Sequence, residues 1–288
     1  MRIALPNKGR LHTPASNLLS RAGIHVRESQ QDRKLWADTT IPDTTVIYVR
    51  SEDIPRYVSS GAADLGITGH DQIKEKNFDN IVDILDLDFG KCRLVVASLD
   101  PRVSSDASID SLEKLKGKRV ATEFPNITKT FFENQNISIE IVKVGGATEL
   151  TPHVHMADAI VDIVSSGETL RSNQLIILEE VLSSSARLIS RDDVQDHPLT
   201  TKIAGALSSV VAAKNKRYLM MNAPRQKLED ITAVIPGLSG PTVIDTTGDS
   251  TVVIHAVVGE SDVFDTIELL KEKGATGILV TTIDRLVE

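Results

Sequence analysis

Short apolar runs alternate with amphipathic stretches through most of the chain. Arg2-Ile-Ala-Leu5 reads as a strand, and Pro14 to Ala22 as a helix, because Ala15, Leu18, Leu19 and Ala22 recur at helical spacing. Thr45 to Val49 reads as a strand, Asp53 to Ser60 as a helix stopped by Gly61, and Ala63 to Thr68 as a strand running into Gly69. Further strands are expected at Cys92 to Ser98, Arg119 to Thr122, Ile139 to Val144 and Ala159 to Val164, interleaved with helices near Ile109 to Leu115 and Ile127 to Asn134. Repeated βα alternation predicts α/β layers around a largely parallel sheet.

Gly90-Lys-Cys-Arg-Leu-Val-Val96 opens a second βα series after the Asp-rich stretch Asp83 to Asp88, and Leu175 to Glu180 leads back towards the first. Two α/β lobes joined by crossover strands would leave a cleft, the usual place for a ligand. The pattern changes from about Tyr218. Strand-like Tyr218 to Met221, helix-like Pro224 to Val234, the turn Pro236 to Gly240, strands at Thr242 to Asp245 and Val252 to Val258, a helix over Asp262 to Lys273 and a strand over Gly277 to Thr282 make βαββαβ, the ferredoxin-like order. The expected division is 1–92 with 180–213 as one lobe, 93–179 as the other, and 214–288 as a separate α+β domain. A unit of roughly 70 residues is near the lower size limit for standing alone, so docking or oligomerisation is expected of it.

The 288 residues are 41% hydrophobic and 25% charged, which excludes disorder as the main state, and only 3% are aromatic, so Ile, Val, Leu and Ala must build the core. A formal charge of −8 lacks the basic footprint of a nucleic-acid binder and confines any anionic ligand to local sites. The single cysteine, Cys92, cannot form an intrachain disulfide, which fits a reducing compartment. Neither an apolar leader nor 18 uninterrupted apolar residues occur, so a cytoplasmic chain without a membrane partner is expected.

The most informative stretch is Asp158-Ala-Ile-Val-Asp-Ile-Val-Ser-Ser-Gly-Glu-Thr-Leu170, an apolar strand with Asp162 inside it that stops at a small-residue turn. Free amides at a following helix start, with Ser and Thr hydroxyls, make an anion cradle suited to phosphate; the same residues also suit an ordinary strand–turn–helix with a serine cap. A carboxylate within an apolar strand costs several kcal/mol unless paired or facing a polar site, which favours a site at the strand's end. Lys8, Gly9 and Arg10 follow the first strand, where cations and free amides can meet phosphates, although solvated loop charges are the commoner fate. Asp71, in Thr68-Gly69-His70-Asp71, is placed for a ligand at a strand's carboxyl end or as a helix cap. No dinucleotide fingerprint follows the first strand, and Lys116-Gly-Lys118 lacks the rest of a Walker loop.

The Asp158–Leu170 run closely resembles the phosphoribosyl-pyrophosphate loop of the ATP phosphoribosyltransferase family. Leu5-Pro-Asn-Lys-Gly-Arg-Leu11, Asp64-Leu-Gly-Ile-Thr-Gly-His-Asp71, Gly90-Lys-Cys-Arg-Leu94 and Pro236-Gly-Leu-Ser-Gly-Pro-Thr-Val243 resemble further segments of that family, in its order and across essentially the whole chain. The last resembles its long form, which carries a regulatory domain. What the resemblance implies is a two-lobed, periplasmic-binding-protein-like catalytic region and a ferredoxin-like regulatory domain. It also implies transfer of 5-phosphoribosyl from phosphoribosyl pyrophosphate to N1 of ATP with release of pyrophosphate, Mg2+ as cofactor, feedback inhibition by histidine, and a homo-oligomer, dimer or hexamer. Carried over by position, Ser165, Ser166, Gly167, Thr169 and Leu170 hold the 5-phosphate, with Asp158 and Glu168 among the substrate contacts. Asp162 and Glu149 lie near the ribose hydroxyls or the metal, which substrate mainly holds. Lys8 and Arg10 join them as catalytic residues, and Gly9, Arg50, Asp71 and Arg93 complete the cleft. Thr242, backbone near Leu238 and Ser239, and Val280 and Thr281 form the histidine site, expected between subunits.

The chain departs from the family pattern at Ala147, where serine is usual, and at His153 and His155, where arginine and glycine are usual. The two histidines have the spacing of a metal pair but no third His or Cys nearby, and are expected on a loop edge. Two lobes around a cleft would equally suit a solute-binding protein or a catalytically silent paralogue. The absent leader and the phosphate loop argue against the first, and the retained Lys8, Arg10, Asp162, Ser165 and Thr169 against the second.

Overall fold

The first apolar run becomes β1 (Arg2–Pro6), buried from Ile3 onwards, and turns through Gly9, whose φ of +79° suits glycine, into α1 (His12–Arg21). In this computed structural model the described residues are 1–27, 35–103, 109–235, 240–247 and 250–287, and backbone packing divides them into two compact units, Met1–Ala204 and Gly205–Glu288.

The first unit holds two sheets. β2 (Trp36–Asp38), β3 (Thr45–Val49), α2 (Ile54–Ser59), β4 (Leu65–Gly69), α3 (His70–Lys76) and β5 (Ile81–Asp86) continue the first lobe. The chain then crosses into β6 (Cys92–Leu99), β7 (Arg119–Thr122), α4 (Pro125–Asn134), β8 (Glu140–Lys143), β9 (Ala159–Val164), α5 (Glu168–Ser172) and β10 (Leu175–Ser184), and returns through β11 (Ala186–Arg191). The strand orders are β2-β3-β1-β4-β11-β5 and β10-β6-β9-β7-β8. β9 is apolar at every position but Asp162 because both its faces are covered: Ala159 and Val161 pack with Phe124, Ile127 and Phe132, and Ile160 and Val164 with Leu170 and Leu175.

Two expectations change, and the Asp-rich stretch finds its place. The sheets are mixed rather than largely parallel: β1–β3, β1–β4, β7–β8 and β7–β9 run parallel, while the crossing strands β6, β10 and β11 and the short β2 pair antiparallel. The Asp83–Asp88 stretch is largely strand, because β5 lies at a sheet edge and its carboxylates meet Arg187, at 3.6 Å from Asp83 and 3.0 Å from Asp86. The helix expected over Ile109 to Leu115 is a single 3-10 turn, Glu113–Leu115; the threefold spacing of Ile109, Leu112 and Leu115 suits that tighter period.

α6 (Pro198–Ala213) runs into the second unit, where β12 (Lys216–Pro224), α7 (Leu228–Thr232), β13 (Thr242–Asp245), β14 (Thr251–Gly259), α8 (Val263–Glu272) and β15 (Thr276–Thr282) form a four-stranded antiparallel sheet ordered β13-β14-β12-β15. This is the ferredoxin-like topology. Alternate residues Leu219, Met221, Ala223, Val252, Ile254, Ala256 and Val258 face Ile231 and Leu270 in its core. The helical reading of Pro224 to Val234 shortens, since the strand keeps Pro224 and a 3-10 turn over Arg225–Lys227 precedes α7. Among the described residues no helix is long and apolar enough to cross a membrane.

Candidate active site

Parallel strands end together, so β1, β3 and β4 deliver Lys8–Arg10, Arg50 and Asp71 to one edge of the first sheet, and β7, β8 and β9 deliver Glu123, Glu149 and Ser165–Thr169 to one edge of the second. At the end of β9, Gly167 takes φ +78° in the N-cap position of α5, and Ser166 Oγ accepts the Glu168 amide at 3.4 Å. Ser165, Ser166, Glu168 and Thr169 are exposed, whereas Leu170 is buried in the core and anchors the short helix. A cavity of about 300 Å³ is lined by Glu149, Asp162, Ser165, Ser166, Gly167, Thr169 and Leu170.

Asp162 is half-buried, and desolvation pushes its carboxyl up to about 6. The Ile163 amide, donating to Oδ1 at 2.7 Å, opposes that shift, the Glu149 and Glu123 carboxylates add to it, and the buried Thr148 hydroxyl opposes it. Glu149 reaches the site through the turn Gly145-Gly146-Ala147, in which Ala147 adopts a left-handed φ of +50°. Glu123, whose carboxyl is raised first by burial and then by Glu52 and Glu149, is a member of this acidic group that sequence patterning missed; its only signal is its place directly after β7.

A second cavity, about 420 Å³, is shared by Ser165, Arg93, Lys91, Cys92, Asp86, Ser183, Ser184, Ser185 and Arg187. Arg93 pairs with Glu180 at 3.2 Å. Arg187, from the return strand, also went unread, because nothing in sequence marks which residues of a crossover face the first lobe. Arg10 donates to the Gly90 carbonyl at 2.8 Å and lies 3.8 Å from Asp71, whose buried carboxylate accepts from Ser184 Oγ at 2.6 Å and Gln72 Nε2 at 2.9 Å. Lys8 and Gly9 are exposed beside them, and Arg50 pairs with Glu52 at 3.3 Å.

Not every candidate converges. Asp158 sits before the start of β9, roughly 20 Å along the strand from Ser165, and accepts the Arg119 amide at 2.9 Å. His153 donates from Nε2 to the Asn173 carbonyl at 2.8 Å and, like His155, is exposed on the loop before β9. In the second unit Thr242 on β13 and Val280 and Thr281 on β15 occupy opposite edge strands, about 14 Å apart across the sheet, so one chain does not gather them around one small ligand. Leu238 and Ser239 lie outside the described residues.

The family model described as ATP phosphoribosyltransferase matches residues 50–209, and the model of its C-terminal domain matches residues 213–285. ATP phosphoribosyltransferases of Haloarcula marismortui and Halobacterium salinarum are 52% and 55% identical to this chain over 288 residues, covering 100% of each chain. This chain belongs to the ATP phosphoribosyltransferase family. It is thereby a pentosyltransferase of the first step of histidine biosynthesis, in a family that uses a divalent metal in catalysis. The solved ATP phosphoribosyl transferase (HisG:HisZ) complex from Thermotoga maritima contains a chain that aligns over 72% of this one and 98% of its own length, at 25% identity and a TM-score of 0.60.

Among the described residues no three His, Cys, Asp or Glu side chains are grouped so as to hold a metal unaided. Glu149 and Asp162, hard oxygen donors lining one cavity with the Ser165–Thr169 turn, fit a divalent ion that takes its remaining ligands from elsewhere.

Proposed function

We propose that the Asp162 cavity is where this ATP phosphoribosyltransferase joins phosphoribosyl pyrophosphate to N1 of the ATP adenine. The observation that carries this reading is that Asp162 and Glu149 share a cavity with the Ser165–Thr169 turn. Adenine N1 has its own lone pair, so the protein's task is charge management rather than activation of a nucleophile. The amides and hydroxyls of Ser165, Ser166, Gly167 and Thr169 bind the 5-phosphate. Glu168 contributes its amide and Leu170 anchors the turn. Ionised Asp162, with Glu149, faces the ribose hydroxyls and stabilises the positive charge that grows at the anomeric carbon as its bond to pyrophosphate breaks and that to N1 forms. A bound Mg2+, held by substrate with Glu149 or Asp162, would neutralise the leaving pyrophosphate. Lys8, Gly9, Arg10, Arg50, Asp71 and Arg93 line the cleft towards the phosphates, with Lys91 and Arg187.

In this reading 1–92 with 180–213 and 93–179 are the catalytic lobes of a cytoplasmic enzyme, and 214–288 is the regulatory domain. Histidine binds there between copies of the chain, in a dimer-to-hexamer assembly. The separation of Thr242 from Val280 and Thr281 across the sheet supports a site that two copies complete. Pyrophosphate release from ATP, phosphoribosyl pyrophosphate and Mg2+ tests the catalytic reading. Parent protein should release it, and Asp162→Asn should release it far more slowly with little change in ATP affinity; parental turnover by folded Asp162→Asn would remove Asp162 from the site.

A further inference from the structure

α4 begins without a cap of its own. Its N-cap residue is Phe124, which has no side-chain acceptor, and Pro125 takes the first position, leaving the amides of Asn126 and Ile127 to be satisfied from elsewhere. The acceptor is Glu75, from α3 of the other lobe. Its carboxylate, only 6% exposed, receives the Asn126 amide at 3.2 and 3.1 Å and the Ile127 amide at 3.1 Å, while Asn126 Nδ2 donates to the Glu75 carbonyl at 2.9 Å. A buried carboxylate at a helix N-terminus is favoured by both the orphan amides and the helix dipole. One turn earlier on the same face of α3, buried Asp71 takes the Ser184 hydroxyl at the return crossover. α3 therefore meets α4 of the second lobe and the end of β10, the strand by which the chain leaves the second sheet.

What lies immediately before α4 gives the brace its meaning. The Phe124 amide donates to Thr122 Oγ1 at 2.9 Å, and between these residues Glu123 projects towards the Gly145–Gly146 turn, where a Cβ built on Gly146 would lie 3.7 Å from Glu123 Oε1. That turn carries Thr148 and Glu149 to Asp162. We propose that Glu75 is a positioning residue for phosphoribosyl transfer: by capping α4 from the first lobe it fixes the Glu123 segment against the Glu149 and Asp162 side of the cavity. The inference rests on the catalytic reading of that cavity given above. It makes the closeness of the lobes at the α3–α4 seam a condition for the geometry of the acidic group, although Glu75 itself touches no substrate.

The test compares Glu75→Ala, Glu75→Asp and Glu75→Gln in the full chain, reading kcat, KM for each substrate, and hydrogen exchange of the amides of Asn126 and Ile127. Glu75→Asp keeps the charge but is one methylene too short to span the seam; Glu75→Gln keeps the reach and an acceptor oxygen. Faster exchange at the two amides and a loss of about tenfold to a hundredfold in kcat are expected for Ala and Asp, with substantial recovery of both in Gln. Faster exchange with parental kcat would make the cap merely structural and overturn the proposal, as would parental exchange in Ala or Asp. If Glu75→Ala does not fold, Glu75→Asp decides by the same two readouts. Asp162→Asn, measured alongside, separates the failures: parental turnover there removes the cavity's catalytic reading, whereas reduced turnover there with parental kcat in folded Glu75 variants removes only the brace.

Discussion

Asp162 shows how one residue links burial to chemistry. Its carboxyl is raised to about 6 because burial in β9 desolvates it and the Glu149 and Glu123 carboxylates repel its charge. A folded-state value above the unfolded one of 3.8 means that its contribution to stability is fully present below pH 3.8 and is lost as pH rises through about 6. At neutral pH the ionised side chain therefore costs stability, on the order of 1–3 kcal/mol. Asp162→Asn should unfold at a higher temperature than the parent at pH 7.5, with the gain shrinking towards pH 4.5; calorimetry at the two pH values checks the sign. Turnover of the parent should rise with pH through about 6 as the carboxylate forms, a limb that Asp162→Asn should lack. Thr169→Ala removes a hydroxyl facing the cavity and should weaken phosphoribosyl pyrophosphate binding by about 1.5–3 kcal/mol, measured by titration calorimetry.

At the scale of elements, the β9–α5 turn lines the Asp162 cavity, and Gly167 is its pivot. Space is not the constraint there, since an added Cβ would meet only Val164 Cγ1 at 3.8 Å; the constraint is φ +78°. Gly167→Val should therefore reshape the turn, with substrate affinity falling more steeply than melting temperature. Unchanged affinity for phosphoribosyl pyrophosphate in the folded variant would deny the turn its role. β5 makes the contrasting case. Its Asp83 and Asp86 stand out in sequence only as part of an Asp-rich stretch, but Arg187 on β11 gathers both at the sheet edge. Arg187→Ala should cost about 1 kcal/mol in denaturant unfolding, because these pairs are partly exposed. It should also weaken binding of the polyphosphate substrates, since Arg187 lines the cavity shared with Ser165.

For the whole molecule, the proposed regulation by histidine would require that the ligand bind one global state better than another; a coupling of about 1–3 kcal/mol would change affinity at the catalytic site some 5–150-fold. Thr242→Ala should flatten the dependence of turnover on histidine concentration while leaving activity without histidine intact. If two copies complete the site, sedimentation should show histidine shifting the assembly towards larger species, and Thr242→Ala should blunt that shift.

Much of this molecule was legible in its sequence because the deciding physics is local. β7, β9 and β13 begin and end where apolar runs meet turn residues, the βαββαβ order follows from changes of hydrophobic period, and the turn after β9 is written in consecutive small and hydroxyl residues. Asp162 announced itself as a carboxylate in an apolar strand. The tertiary structure decided what depends on residues distant in sequence. It set the antiparallel sense of the crossover strands, which only the position of the second lobe determines, and the pairing of Arg187 with β5. It placed Asp158 at the wrong end of β9 for the cavity, and brought Glu123 and Glu149 within electrostatic reach of Asp162. It also supplied the cap that α4 lacks, from a glutamate 51 residues away whose periodicity marks it only as part of a helix. Local patterns specify which elements form and which residues can bind an anion. Desolvation, charge coupling and cross-lobe hydrogen bonds exist only once those elements have packed, so the electrostatics of the site could be read only from the folded chain.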